Sequence, residues 1–273
     1  MNTDDILLSA TDTTLPFPVF SEKELPVLPQ GVFGQTEAQL WRDYAHERGA
    51  ILVIDKPLTW TSFDIVAKMR GTIKMKKIGH AGTLDPLATG VLVLCIGRAT
   101  KQVESIQQFY KIYDVTIKLG ATTRSDDGET PEENHLSAEH ITVNDIHDSL
   151  LPYIGTIHQI PPIYSAVWIN GQRAYQQARK GKDIEIEPRP VRIDSIEILA
   201  WDNPFLTLRI QCGKGTYIRS LARDIGADLG VGGYVQTLRR NAVGQFTEDQ
   251  SWTVQQIADL FSYLKNNTKY ENI

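Results

Sequence analysis

Cysteine is nearly absent from this chain. Its 273 residues contain two, Cys95 and Cys212, each inside an apolar, strand-like run and neither in a Cys-x-x-Cys or Cys/His spacing. That pattern reads as a pair of reduced core thiols in a cytoplasmic protein rather than a disulfide framework or a zinc site. Long hydrophobic runs are missing as well, and the start lacks the basic-then-apolar pattern of a secretory leader. Cytoplasm is therefore the expected location, with no membrane partner. Basic charge is in deficit: 28 Lys and Arg stand against 33 Asp and Glu, a net of −5. The sum argues weakly against a polyanionic partner, but the distribution reverses the argument. Residues 1–48 carry eight acids and three bases, and Ser125 to Leu150 carries eight acids with no Lys or Arg. Those acidic stretches set aside, the remaining chain is about +8. A local basic field of that kind is what nucleic-acid phosphates require.

The hydrophobic content of 41% is enough for one large core. Residues 1–34 are polar, with Pro16, Pro18, Pro26 and Pro29, and read as an extended or partly disordered lead-in. Thr36 is placed to cap a short helix whose stripe is Leu40, Trp41 and Tyr44. Ala50 to Asp55 reads as a buried strand, followed by Lys56-Pro57, with Ser62 as the N-cap of a helix from Phe63 to about Gly71. From Lys68 to His80 there are five bases, among them Lys74, Lys76 and Lys77, and no acid. Such a run is ordinarily a solvated face, but this one leads straight into the most unusual stretch of the chain.

That stretch is Gly79-His80-Ala81-Gly82-Thr83-Leu84-Asp85-Pro86-Leu87-Ala88-Thr89-Gly90. Three glycines and a proline mark a loop with special backbone angles, and Pro86 pushes Asp85 towards an extended or turn conformation. The plain reading is a turn in which Asp85 caps its neighbours; the sharper one is a reactive carboxylate presented from a rigid frame. A strand follows (Val91 to Ile96), then a helix opening at Gly97 and running to about Gln108, a strand from Tyr110 to Gly120, and a helix from Val143 to Leu151. Residues 184–200 and 205–212 read as strands, and a last helix runs from Val254 to about Lys265. Gly213-Lys214-Gly215-Thr216 invites a phosphate-loop reading that fails, because Leu208 stands where the first Gly belongs and Gly215 follows the Lys.

The loop from Gly79 to Gly90 resembles the active-site signature of the TruB family of tRNA pseudouridine synthases. Other segments fit the same family in order: the opening strand with Lys56-Pro57 and Ser62-Phe63-Asp64, Lys111-Ile112-Tyr113, Tyr217-Ile218-Arg219, and Leu238-Arg239-Arg240. The resemblance spans about Ala50 to Phe246. It implies an α+β fold, a pseudouridine-synthase-like mixed and mostly antiparallel sheet flanked by helices. It also implies a mobile, basic, RNA-clamping insertion, here carrying Arg173, Arg179 and Lys180. The expected organisation is an acidic extension over 1–48, a catalytic domain over 49–250, and a C-terminal helix and tail over 251–273 without a PUA domain.

The implied activity is isomerisation of uridine to pseudouridine in the T-loop of tRNA (position 55). Asp85 is implied as the catalytic carboxylate, Arg219 as its partner, and Tyr217 as a base or structural hydrogen-bonder. Tyr113 would stack on the target base, Leu238 would pack against it, and His80 and Lys56 would support substrate binding. Lys74, Lys76 and Lys77 are candidates for backbone phosphates. At Arg124 the chain departs from the family, which has an Asp just after the Thr; Asp126 or Asp127 is available to replace it. The rearrangement exchanges a C–N for a C–C glycosidic bond without redox change, so no cofactor and no metal are expected. The expected partner is the T-arm stem-loop of tRNA, and the expected state is a monomer. Two rivals are a tRNA-folding chaperone on the same scaffold and a carboxylate-dependent nucleoside or glycoside hydrolase, the latter usually needing two carboxylates.

Overall fold

A computed structural model describes residues 19–20, 35–165, 168–169, 171–173, 177 and 185–266. The chain divides into two compact units, one formed by residues 1–109 and 242–273 and the other by residues 110–241.

In the first unit, β1 (Val19–Phe20) lies parallel to β2 (Ala50–Lys56), with Val19 opposite Ile51. β3 (Ile78–His80) and β4 (Ala88–Ile96) complete the frame: β4 runs antiparallel to β2, from Ala50 opposite Ile96 to Lys56 opposite Gly90, and β3 runs antiparallel to β4. β2 and β4 are apolar almost without interruption because both faces are covered, so the period of two that marks a half-exposed strand is absent. Ile51, Val53, Val91, Val93 and Cys95 pack with Ala99, Ile106 and Phe246 into one fully buried cluster. Burial pushes the Cys95 thiol up to about 12, as befits a core residue.

Longer helices brace this sheet. α1 (Glu37–Glu47) starts in a capping box, in which Gln39 N–H donates to Thr36 Oγ1 and Thr36 N–H donates to Gln39 Oε1. Its buried stripe includes Leu40 and Trp41, as the periodicity predicts, with Ala45 in place of the half-buried Tyr44. α2 (Ser62–Ile73) is capped one residue earlier than the sequence suggests: Thr61, not Ser62, accepts from Asp64 N–H at 3.0 Å. The helix expected from Gly97 to Gln108 is instead a 3-10 segment (Gly97–Gln102) followed by the single turn α3 (Val103–Gln107). Gly97 has φ +60, and a Cβ there would lie 1.9 Å from the Ala45 carbonyl oxygen, so only glycine fits between this turn and α1.

The second unit is an antiparallel sheet. β5 (Lys111–Leu119) pairs with β12 (Phe205–Cys212), β12 with β11 (Arg189–Asp202), and β11 with β8 (Gly155–Gln159). β13 (Gly233–Val243) lies on the other side of β5 and ends in the first unit, where Val243 faces Phe246 of β14 (Phe246–Thr247). Short hairpins join β6 (Thr122–Thr123) to β7 (Glu132–Glu133) and β9 (Trp168–Ile169) to β10 (Gln172–Arg173). β5 alternates strictly, with Lys111, Tyr113, Val115, Ile117 and Leu119 on the buried face. α4 (Val143–Leu150) and α5 (Ile218–Asp228) belong to this unit, and α6 (Val254–Asn266) to the first, where Phe261 meets the Trp41 ring edge-on at 5.0 Å. The strand expected from residue 184 begins at Arg189. Each unit is thus α+β. The β1–β2 pair is parallel, whereas β2–β4, β3–β4, β5–β12, β12–β11, β11–β8 and β13–β14 are antiparallel. Among the described residues no helix is long and apolar enough to cross a membrane.

Candidate active site

Residues 81–87 form the loop between β3 and β4, and three separate devices hold it. Ala81 N–H donates to the Val93 carbonyl at 2.9 Å and ties the loop's start to β4. Ser62, at the first turn of α2 and 2% exposed, clasps Leu84 on both sides: Leu84 N–H donates to Ser62 Oγ at 2.8 Å, and the hydroxyl donates to the Leu84 carbonyl at 3.1 Å. Lys56, at the end of β2, is 0% exposed, and its ammonium donates to the carbonyls of Trp60 (2.7 Å), Pro57 (2.9 Å) and Pro86 (3.3 Å). Thr59 N–H adds a bond of 2.8 Å to the same Pro86 carbonyl. Asp85 lies between the two clamped residues, Leu84 and Pro86, and is half-buried.

These contacts revise one expectation. Ser62 is a loop brace and not a helix cap, because its hydroxyl turns away from the helix end. The Lys56 ammonium meets three internal carbonyls, so this residue also ties the loop to the end of β2. Gly82 (φ +107) and Gly90 (φ +98) occupy the left-handed angles that let the chain enter and leave this clamp. Removing the Ser62 hydroxyl leaves both backbone groups of the buried Leu84 without this partner. Ser62→Ala is expected to cost about 1–3 kcal/mol, read as a lower urea midpoint, and to reduce activity through the loop; an unchanged midpoint and turnover would remove Ser62 from the brace.

The second unit carries the remaining candidates. Arg219, in the first turn of α5, is 5% exposed. Its guanidinium donates to the carbonyls of Tyr164 (3.0 Å) and Ser125 (3.1 Å) and lies 3.6 Å from a carboxylate oxygen of Asp127. The two candidate replacements at the Arg124 departure therefore separate. Asp127 faces Arg219, whereas Asp126, with φ +59, accepts from Arg223 at 3.1 Å. Burial pushes the Asp126 carboxyl up to about 6 against the pull of Arg223 and Arg219. Val235 N–H donates to the Asp126 carbonyl and fixes this turn against β13.

Tyr217 occupies the N-cap position of α5, and the side-chain amide of Gln159 pairs with its backbone: Tyr217 N–H donates to Oε1 at 2.8 Å and Nε2 donates to the Tyr217 carbonyl at 3.1 Å. The Ile160 carbonyl accepts from Ser220 Oγ (2.8 Å) and from Arg223 (3.0 Å). Gln159, Ser220 and Arg223 thus form a set of positioning contacts that the sequence did not point to, beside Asp127, one of the two acids it offered at the Arg124 departure. The run Gln159-Ile160-Pro161-Pro162 was the available signal, since prolines cannot donate and a segment of this kind needs outside donors for its carbonyls.

Tyr113 is on the buried face of β5, 9% exposed and opposite Ile210. Two residues before it, Lys111 is held down to about 8 by burial first and then by Arg240 and Lys214, while Cys212 pulls the other way. Leu238 is half-buried on β13. Lys74, Lys76 and Lys77 are exposed, Lys74 ending α2 in a left-handed conformation (φ 63). Arg173 is on β10; Arg179 and Lys180 lie outside the described residues. Among the described residues no three His, Cys, Asp or Glu side chains gather as a metal-ligand set.

Comparison with known proteins shows the family. Residues 70–218 match the model of the TruB family pseudouridylate synthase N-terminal domain, and residues 219–272 match that of the tRNA pseudouridylate synthase B C-terminal domain. The chain is 46% identical over 217 residues to tRNA pseudouridine synthase B of Parabacteroides distasonis, covering 77% of this chain and 92% of that protein. It is 45% identical over 216 residues to the protein of the same name from Chloroherpeton thalassium, covering 77% and 90%. Among solved structures, one chain of a Cbf5-Nop10-Gar1 complex matches with a TM-score of 0.66 and 27% identity, covering 86% of this chain and 60% of that one. A chain of an H/ACA RNP bound to a substrate RNA containing 2′-deoxyuridine matches at 0.63 and 25%, covering 84% and 58%.

Proposed function

Because the chain belongs to the TruB family of pseudouridylate synthases, we propose that it converts uridine to pseudouridine in the T-loop of tRNA, position 55, with Asp85 as the reacting carboxylate. The observation that carries this reading is the clamp on either side of Asp85. Ser62 fixes Leu84 and Lys56 fixes Pro86, so the carboxylate is delivered from a backbone already in place. Pre-positioning of that kind removes reorganisation from the reaction barrier.

The target base must leave its stack before the glycosidic bond can be reached, at a cost of a few kcal/mol. An aromatic face and an apolar wall offset that cost, the roles proposed for Tyr113 and Leu238. The family pattern pairs Arg219 with the catalytic carboxylate, and gives Tyr217 the task of a base or hydrogen-bonder as product forms. His80, five residues before Asp85, is proposed to act on the RNA. Residues 49–250 are the proposed catalytic region. The hydrolase rival needs a second free carboxylate, and the acids beside Arg219 and Arg223, Asp127 and Asp126, are held by those arginines.

Position is tested directly. An unmodified tRNA transcript is incubated with the enzyme, treated with carbodiimide, and read by primer extension. A new stop at the T-loop uridine is the expected result; stops elsewhere, or none, would contradict the proposed target. For the exposed cations, Lys74/Lys76/Lys77→Ala is expected to weaken tRNA binding. Its salt dependence should flatten by about 0.7 to 0.9 for each phosphate that the variant no longer neutralises. A salt slope equal to the wild type's would make the run a solvated face.

A further inference from the structure

Arg219 takes two of its acceptors from one turn. The Ser125 carbonyl, at 3.1 Å, and the Asp127 carboxylate, at 3.6 Å, both lie in residues 124–131, which link β6 to β7. Thr123 Oγ1 and Ser125 Oγ donate to the Asp127 carbonyl at 2.7 and 3.1 Å and hold the turn's own shape. Shape does not fix position. A hairpin with two residues in each strand is marginal by itself, so the placement of these acceptors depends on what ties the hairpin to the sheet.

Two ties come from neighbouring residues of β13. Val235 N–H donates to the Asp126 carbonyl at 3.0 Å and holds the turn. The hydroxyl of Tyr234, which is 4% exposed, donates to Glu132 Oε1 at 2.5 Å and holds the returning strand, β7. The same carboxylate oxygen accepts from Lys118 Nζ of β5 at 2.5 Å. Glu132 therefore joins the hairpin to two strands of the main sheet at once. Lys118 first and Tyr234 second hold its carboxyl below the usual carboxylate range, and bonds to an ionised acceptor are roughly twice as strong as neutral ones. In the sequence Glu132 is one of eight acids between Ser125 and Leu150, and nothing local separates it from the others.

We infer that Glu132 is a positioning residue for the reaction: by latching β7 to Lys118 and Tyr234 it sets where Ser125 and Asp127 meet the Arg219 guanidinium. The inference rests on the reading above, which gives Arg219 a part in the chemistry. Its test is read by stability as well as by turnover, so that the two fail separately. Glu132→Ala and Glu132→Gln are made in the wild type and in Arg219→Lys. Each is followed by single-turnover conversion of unmodified tRNA, by tRNA affinity and by urea unfolding.

Glu132→Ala is expected to slow conversion by roughly ten- to a hundredfold with Kd within about twofold. The Tyr234 hydroxyl keeps a second acceptor, Gln236 Oε1 at 3.0 Å, so the loss falls on the hairpin. Glu132→Gln is expected to recover most of the rate, since an amide oxygen still accepts from both donors. In Arg219→Lys, Glu132→Ala is expected to cost less than about threefold more, because the fork it positions is already gone. Tyr234→Phe deletes a single hydroxyl and is expected to give a smaller loss of the same kind, which decides the matter should Glu132→Ala fold poorly. Wild-type conversion in both Glu132→Ala and Tyr234→Phe would overturn the inference. An equal fold loss from Glu132→Ala in both backgrounds would also overturn it, as the mark of a general structural defect. Urea midpoints run the same cycle without chemistry: losses from Glu132→Ala and Arg219→Lys that fail to add are expected, and additive ones would sink the latch. A wild type that forms no pseudouridine would sink the functional reading, while the midpoints still decide the latch.

Discussion

Asp85→Asn is expected to lower turnover of unmodified tRNA by at least about 10³-fold while leaving tRNA affinity within a few fold. The substitution keeps the side chain's size and removes its negative charge, and the clamp around it is built from other residues. Ser62 holds Leu84, Lys56 and Thr59 hold Pro86, and none of those bonds uses the Asp85 carboxylate. The loop should therefore keep its shape, and the loss should fall on chemistry. A carboxylate that serves as nucleophile or base cannot be replaced by a neutral amide. Single-turnover measurement at saturating enzyme separates this from weakened binding. An Asn variant with wild-type turnover would remove Asp85 from the mechanism.

Arg219→Ala carries the second large effect, on stability as well as on activity. Two backbone carbonyls, of Ser125 and Tyr164, lose their donor, and Asp127, 4% exposed, loses the cation 3.6 Å away. Breaking a buried pair by deleting one partner costs about 3–5 kcal/mol, because the other charge stays behind unpaired. A lower urea midpoint and a loss of turnover are both expected. Arg219→Lys tells the two apart. An ammonium keeps the charge beside Asp127 but cannot reach two carbonyls and a carboxylate with one planar fork. It is expected to recover part of the stability and little of the turnover. Wild-type turnover in Arg219→Lys would take the guanidinium out of the chemistry, and an unchanged midpoint in Arg219→Ala would contradict the brace.

Both predictions turn on residues that the sequence named, but their surroundings were legible to different degrees. The loop from Gly79 to Gly90 announced itself through local chemistry, since glycine and proline act on the backbone they belong to. The strands were legible for a similar reason: alternation in β5 and unbroken apolar runs in β2 and β4 are imprinted residue by residue. Ser62 was misassigned because Thr61 and Ser62 are equally good caps, and only the arrival of Leu84 from 22 residues away decides which hydroxyl stays with the helix. That the Lys56 ammonium is fully buried was not legible, because a lysine is rarely so placed and three carbonyls converging on one ammonium have no local signature. The division of labour between Asp126 and Asp127 was likewise hidden, since it depends on the left-handed turn at Asp126 and on which arginine of α5 each side chain meets.

The measurement that bears most directly on the central claim is tritium release from unmodified tRNA carrying [5-³H]uridine, with wild type and Asp85→Asn side by side. Forming the C5–C1′ bond expels the hydrogen at C5, so release counts turnovers without reference to any model of the site. Release by the wild type and none above background by Asp85→Asn, with tRNA bound by both, is the expected result. Tritium retained by the wild type while tRNA is bound would contradict it, and would leave a tRNA-binding protein in place of a synthase.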